Sequence, residues 1–300
     1  MSGVFILIEG FVVGMIWSLV VWSGLRATLA RPVFRRTNYR GAELSTAAGI
    51  AVPVAVWCSG AVVAVLITLG AAPDPFAVTS LQLTALAVGG FGLLGLLDDL
   101  AVDEGASGYR GHVRALFSGR LSAGALKMVV GPAVALVVVQ PASGDSFWWL
   151  LIDGAIVALA ANLANLFDRA PGRVTKVATI ASAALVVATV VGGTGPVADL
   201  VPGLFGAAVV MGAAWALLMP ELREEMMLGD AGANPIGAAL GLAVVFTQST
   251  IVRAAVVVVL LALNLASERV SFSRVIDRVA LLRAIDRFGR RPVEPDGGTG

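Results

Sequence analysis

Residues 78–99 read VTSLQLTALAVGGFGLLGLLDD: twenty positions without a charge, closed by the adjacent acids Asp98 and Asp99. About 20 apolar residues suffice for a helix to cross the hydrocarbon core of a bilayer, and a charged pair at the end of such a run fixes that end at the membrane surface. Working outward, eight further runs of the same character lie near residues 3–25, 46–70, 124–140, 147–166, 175–193, 197–219, 233–249 and 251–266. The composition agrees, since 58% of the 300 residues are hydrophobic and only 14% are charged, too apolar for a soluble domain of this length. The expected fold is an all-α, polytopic transmembrane helix bundle of about nine spans, with the N-terminus outside and the C-terminus inside. The first run has no basic amino end and no small-residue cleavage site, so it is expected to remain as a helix. The single cysteine, Cys58, lies within the second run and excludes both disulfide scaffolding and cysteine-based metal sites.

The basic residues orient the bundle. With the amino terminus outside, 20 of the 21 arginines and lysines fall in the inner connections and the tail, leaving only Arg253 outside. The outer connections are short and turn-like: Pro73-Asp74-Pro75, the stretch from Pro141 to Asp145, the stretch from Gly192 to Pro196, and Gln248-Ser249-Thr250. Trp148 and Trp149 read as headgroup anchors at an outer span end. Glu9, Asp153 and Arg253 lie toward outer span ends and read as snorkelling side chains. The net charge of +1 gives no reason to expect nucleic acid as a partner.

The remaining polar residues gather at inner span ends. Asp98 and Asp99 cap an apolar helix, which is either a solvated end or part of a site. Asn162, Asn165 and Asp168 recur every three residues and are expected near one face of a helix end. Asp230 stands in Leu228-Gly229-Asp230-Ala231-Gly232-Ala233-Asn234-Pro235, a glycine-flanked turn before the eighth run, where backbone can approach a ligand and a helix amino terminus favours an anion. Carboxylates with basic neighbours suit Mg²⁺ bound together with substrate phosphates, the inventory of phosphoryl transfer at a membrane surface. A transporter would instead place charges at mid-span and show internal repeats, and the sequence has neither.

Four blocks then resemble, in order and on one side of the membrane, the polyprenyl-phosphate N-acetylhexosamine-1-phosphate transferases, relatives of phospho-N-acetylmuramoyl-pentapeptide transferase. They are Asn38-Tyr39-Arg40-Gly41 with Gly49, then Leu96-Leu97-Asp98-Asp99 followed by Lys127, then Asn162-x-x-Asn165-x-x-Asp168, and finally Gly229-Asp230-Ala231-Gly232. The resemblance implies transfer of a sugar-1-phosphate from a UDP-sugar to undecaprenyl phosphate with Mg²⁺ as cofactor, at the cytoplasmic face of a bacterial inner membrane, in cell-envelope glycan synthesis. It implies Asp98, Asp99, Asp230 and Lys127 as catalytic residues, with Asp230 the metal ligand. It implies Asn162, Asn165 and Asp168 as substrate-binding residues, and Asn38, Arg173 and His112 are added to that set from their positions. A diverged, non-catalytic binder of polyprenyl phosphate or nucleotide sugar is the alternative.

Three departures stand out. Pro171 occupies the place of the family's second loop acid, a histidine-rich loop is replaced by the single His112, and nine spans stand where the family often has ten or more. His112 reads either as a loop residue facing water or phosphate or as a general base. The chain divides into a membrane unit over 1–267, a basic amphipathic helix over 268–291 expected to lie in the interface, and a disordered polar tail over 292–300. The spacing Gly237-x-x-x-Gly241 permits close helix packing and hence a possible homodimer.

Overall fold

A computed structural model describes residues 3–101, 123–192 and 196–291. Among the described residues, nine helices are long and apolar enough to cross a membrane. They are α1 (Gly3–Leu29), α2 (Ala51–Thr68), α3 (Pro75–Leu100), α4 (Ala123–Ser143), α5 (Phe147–Phe167), α6 (Arg173–Gly192), α7 (Phe205–Leu222), α8 (Asp230–Thr247) and α9 (Thr250–Ser267). The protein is therefore an all-α, multi-pass bundle. Two short strands, β1 (Arg35–Thr37) and β2 (Glu43–Ser45), form an antiparallel hairpin between α1 and α2.

Three of the outer connections start the next helix by side-chain capping. Asp74 accepts the amides of Phe76 and Ala77 at 2.8 and 3.0 Å, with Pro75 in the first turn where its missing N–H is not needed. Ser146 and Ser249 accept the amides of Trp149 and Val252 in the same way.

At the centre stands α8, packed against α3, α5 and α7, while α1 lies along α7. The approach of α8 to α5 is set by Gly237, where an added Cβ would lie 2.2 Å from the Ala160 carbonyl oxygen. The glycine face that suggested a second copy is thus filled within the chain. At the opposite extreme, α9 has no buried residue and rests mainly on α5. Three polar contacts hold it there: Arg253 to Asp153 at 2.7 Å, the Asn162 amide to Asn264 Oδ1 at 2.7 Å, and Asn264 Nδ2 to the Leu159 carbonyl at 3.2 Å. Asp153 does not snorkel. Its carboxylate is buried, bonded also to Ser143 at 2.8 Å, and the Arg253 guanidinium lies 5.0 Å from the Trp149 ring centre.

The segment after α9 differs from the expected single helix. It forms α10 (Phe272–Arg278) and α11 (Ala280–Arg287), separated at Val279, whose backbone is extended. The break turns the chain back so that Asp286 reaches under α6, and an interfacial helix would leave that acid in water. Arg173 grips Asp286 through two bonds of 2.7 and 3.0 Å, and Lys176 donates to the carbonyls of Asp286 and Phe288. Phe272 stacks on Phe167 with ring centres 5.0 Å apart. Residues 292–300 lie outside the described residues.

Candidate functional site

The site is built around the first turn of α8. Gly229 has φ of 71°, and a Cβ there would meet the Asp99 carboxylate at 2.6 Å, so this position requires glycine on two grounds. On α3, a Cβ at Gly95 would lie 2.2 Å from the Asp230 carbonyl oxygen, and this close approach brings the end of α3 against the start of α8. Asp99 then straddles two free amides of the helix start: Oδ1 accepts Asp230 N–H and Oδ2 accepts Ala231 N–H, both at 3.0 Å. Thr46 donates to the same Oδ1 at 3.5 Å.

The acid pair is therefore split in role. Asp99 is engaged in holding α8, whereas Asp98, one helical step round, faces Lys127. Lys127, on α4, lies 3.4 Å from Asp98 and 2.5 Å from Asp230 Oδ2. Asn165 donates to that same Asp230 oxygen at 2.9 Å. Four residues from four different helices, α3, α4, α5 and α8, thus converge on one point.

Asp168 follows α5 as its C-cap. The backbone N–H of Gly229 faces its carboxylate, but burial, then the nearby Glu221 and Asp230 carboxylates, push it well above the ordinary carboxylate range. Asn162 is not part of the site. Steps of three residues advance about 300° round a helix, so Asn162 and Asp168 are about 120° apart, and Asn162 faces Asn264 on α9 instead. Arg173, expected to bind substrate, is buried in the contact with Asp286. Asn38 organises the hairpin turn, its Oδ1 accepting the amides of Arg40 and Ala42 at 2.9 Å, while its Nδ2 faces Glu224 at 3.3 Å. His112 lies outside the described residues.

Over this cluster the hairpin folds onto the loop between α7 and α8. Met227 N–H donates to Ser45 O at 2.7 Å, Gly49 N–H to Leu228 O at 2.9 Å, and Arg40 pairs with Glu224 at 3.2 Å. The hairpin and loop enclose a polar cavity of about 410 Å³ whose lining includes Tyr39, Asp99, Asp168, Pro171, Glu221 and Asp230. A second cavity of about 570 Å³, with Arg40, Arg169, Arg290 and Arg291 in its wall, adjoins it through Tyr39, Arg169 and Ala170. A third, almost wholly apolar groove of about 210 Å³ runs between α5, α6, α8 and α9, and its rim at this end is Phe167 and Val174.

Sequence reasoning missed Glu221, Glu224, Thr46 and Asp286. The run Met219-Pro220-Glu221-Leu222-Arg223-Glu224-Glu225 carries no spacing signal, and only the tertiary fold shows that Glu221 points inward while Glu225 stays partly exposed.

Among the described residues, no group of three histidine, cysteine or acidic side chains is arranged to hold a metal ion. Asp230 and Asp98 share the Lys127 ammonium, at 2.5 and 3.4 Å, which shows that the spot favours positive charge. These hard oxygen donors fit Mg²⁺ arriving with a diphosphate, since that ion takes one or two carboxylates and completes its shell from phosphates and water. No protein-family model matches the chain, and no curated protein matches it in sequence. Fold and site together define a multi-pass helical membrane protein with a polar, acid-and-lysine centre at its arginine-rich end.

Proposed function

We propose that this protein transfers a sugar-1-phosphate, of the N-acetylhexosamine type, from a UDP-sugar to undecaprenyl phosphate at the cytoplasmic face of a bacterial inner membrane. The observation that carries the reading is the convergence of Asp98, Lys127 and Asn165 on Asp230, which lines a polar cavity, while an apolar groove ends at Phe167, the neighbour of Asp168 in that cavity's wall. A donor that is charged and water-soluble and an acceptor that is a lipid phosphate need those two compartments side by side. The arginine-rich end that carries the site is the end retained in the cytoplasm by the positive-inside rule.

In the reaction, an acceptor phosphate oxygen forms a bond to the donor's β-phosphorus. The bond from that phosphorus to the bridging oxygen breaks, and UMP leaves with the electron pair. Mg²⁺, when bound, neutralises charge on the diphosphate. Asp230 and Asp98 would hold it, and Asn165 orients Asp230. Lys127 places a positive charge where the transferring phosphoryl group becomes crowded with oxygens. A phosphate monoester has its second pKa near ~6, so the acceptor is already largely ionised at neutral pH and positioning outweighs proton removal. Asp99 acts indirectly, by fixing the start of α8.

A second reading, a non-catalytic binder, is favoured by Pro171, whose carbonyl accepts Arg290 at 3.0 Å where the family has an acid. One assay separates the two. Membranes are incubated with labelled UDP-N-acetylglucosamine or UDP-N-acetylmuramoyl donors, undecaprenyl phosphate and Mg²⁺, and the lipid is extracted. Label in lipid that is lost with EDTA and with Asp230→Asn supports transfer. Binding of donor without any labelled lipid supports the binder.

A further inference from the structure

The second cavity, of about 570 Å³, lies outside the cluster on α8: none of Asp230, Lys127 and Asn165 is in its wall. Three segments far apart in the chain build it, namely the turn of the β1–β2 hairpin, the connection from α5 to α6, and the tail. They bring together six arginines, Arg40, Arg169, Arg173, Arg287, Arg290 and Arg291, against two acids, Asp277 and Asp286. With Glu224 counted as well, since it pairs with Arg40 at 3.2 Å, three arginines remain in excess. Such a group repels itself. Burial and the neighbouring Arg173 draw the Arg290 guanidinium below its ordinary value, even though Asp286 acts in the opposite direction.

Contacts within the protein hold these side chains without using up their donors. Arg173 and Arg290 share the Asp286 carboxylate, Arg173 Nη1 donates to Ser273 at 2.8 Å, and Arg290 Nε donates to the Pro171 carbonyl at 3.0 Å. Arg290 Nη1 has no hydrogen bond among the described residues. Arg287 lies 3.7 Å from Asp277, with both side chains more than half exposed. Arg169 and Arg291 are exposed and form no ion pair among the described residues. A guanidinium offers its N–H groups as a planar fork that matches the oxygens of a phosphate. One carboxylate would leave most of the excess charge unmatched, whereas a phosphate monoester brings about two negative charges at neutral pH. The volume is that of a small-molecule site.

We infer that the arginine cavity is a second binding site of this protein, for a phosphate monoester or diphosphate group. Its occupant ties the hairpin, the α5–α6 connection and the tail to one another. A soluble phosphate compound and an anionic lipid headgroup both offer this chemistry at the arginine-rich end of the bundle. The inference requires no transfer reaction and is independent of the function proposed above.

The test titrates inorganic pyrophosphate into the purified full chain in detergent, by calorimetry, with EDTA present so that no divalent ion carries the probe to Asp230. Wild-type protein is expected to bind it saturably. Arg169→Gln and Arg291→Gln are each expected to weaken binding about 10-fold, the size of one hydrogen bond between charged groups. Both side chains are exposed, so neither change disturbs packing. Arg223→Gln removes an exposed arginine from outside the cavity wall and is expected to leave the affinity unchanged, as is Asp230→Asn.

A short-chain phosphatidic acid, which carries a phosphate monoester on a lipid, is then added, with short-chain phosphatidylcholine as the control. Competition by the first alone assigns the cavity to a lipid headgroup, and absence of competition assigns it to a soluble phosphate. The site stands in either case. It is overturned if pyrophosphate does not bind, or if its affinity is the same in the wild type and in both arginine variants. Neither result touches the lipid-labelling assay, so this inference and the transfer reading fail separately.

Discussion

Replacing Asp99 by alanine tests the division of labour between the two adjacent acids. The Asp99 carboxylate accepts two backbone amides at 3.0 Å and places a negative charge at the start of α8. Each hydrogen bond to a charged acceptor is worth about 1.5–3 kcal/mol, and charge at a partly buried helix start adds up to ~2 kcal/mol. The loss is set at about 4 kcal/mol because water can re-enter beside Thr46 and satisfy part of the exposed amides. At roughly 2 °C per kcal/mol for a chain of this size, that is a fall of about 8 °C in Tm. The assay is thermal unfolding in detergent, followed by the fluorescence of the six tryptophans. Asp98→Ala is the control: Lys127 keeps Asp230 as a partner, so Tm is expected to stay within about 2 °C while lipid labelling is lost. Asp99→Ala melting within about 2 °C of wild type, or Asp98→Ala falling as far, would refute the assignment of Asp99 to the helix start.

Three further outcomes follow from contacts described above. Asp153→Ala leaves Arg253 buried without its partner and is expected to cost about 3 kcal/mol, seen as a lower Tm, whereas Asp153→Ala combined with Arg253→Met is expected to recover much of that loss. Gly237→Val drives a side chain into the Ala160 carbonyl and is expected to abolish a folded, monodisperse peak in size-exclusion chromatography, while Gly60→Ala, in open space, is expected to leave it unchanged.

The tail should undock at low pH. Burial raises the Asp286 carboxyl, but hydrogen bonds from Arg173 and the charges of Arg290, Arg173 and Lys176 outweigh it and hold the group below its ordinary value. A carboxyl depressed in the folded state stabilises docking fully above its unfolded pKa, and that stabilisation is lost as pH falls through the folded value. Spin labels at Glu43→Cys and Arg283→Cys, in a Cys58→Ser background, are expected to give one narrow distance at pH 7 and a broad distribution once the pH has fallen through the lowered Asp286 value. Asp286→Asn is expected to broaden it already at pH 7.

Most of the architecture was legible because it depends on quantities that a sequence carries directly. Apolar run length placed all nine spans, with every end but the start of α7 within about five residues, and the turn residues Asp74 and Ser249 stand where helices begin. What was illegible depends on contacts between distant segments. Asp99 finds its amides more than 130 positions away, and Arg173 finds Asp286 at a separation of 113. No local pattern distinguishes those roles from substrate binding. The three-residue spacing of Asn162, Asn165 and Asp168 misled for a geometric reason, since the drift per step carries the first of them round to α9. Glu221 was missed because an acid near a span end looks like a solvated one until the hairpin closes over it.

The placement of α8 bears on how the molecule is made. Ribosomes deliver helices from the amino terminus onward, yet the helix that touches α3, α5 and α7 at the middle of the bundle is eighth in line. Until it arrives, the first seven spans surround a seam with no occupant, and Asp98 and Asp99 are two hydrated acids at the water's edge. Inserting α8 closes that seam and hands Asp99 the two amides it is placed to receive. Assembly of the bundle and assembly of the candidate centre are then one late event, so a nascent chain cannot carry the centre before its scaffold is nearly complete.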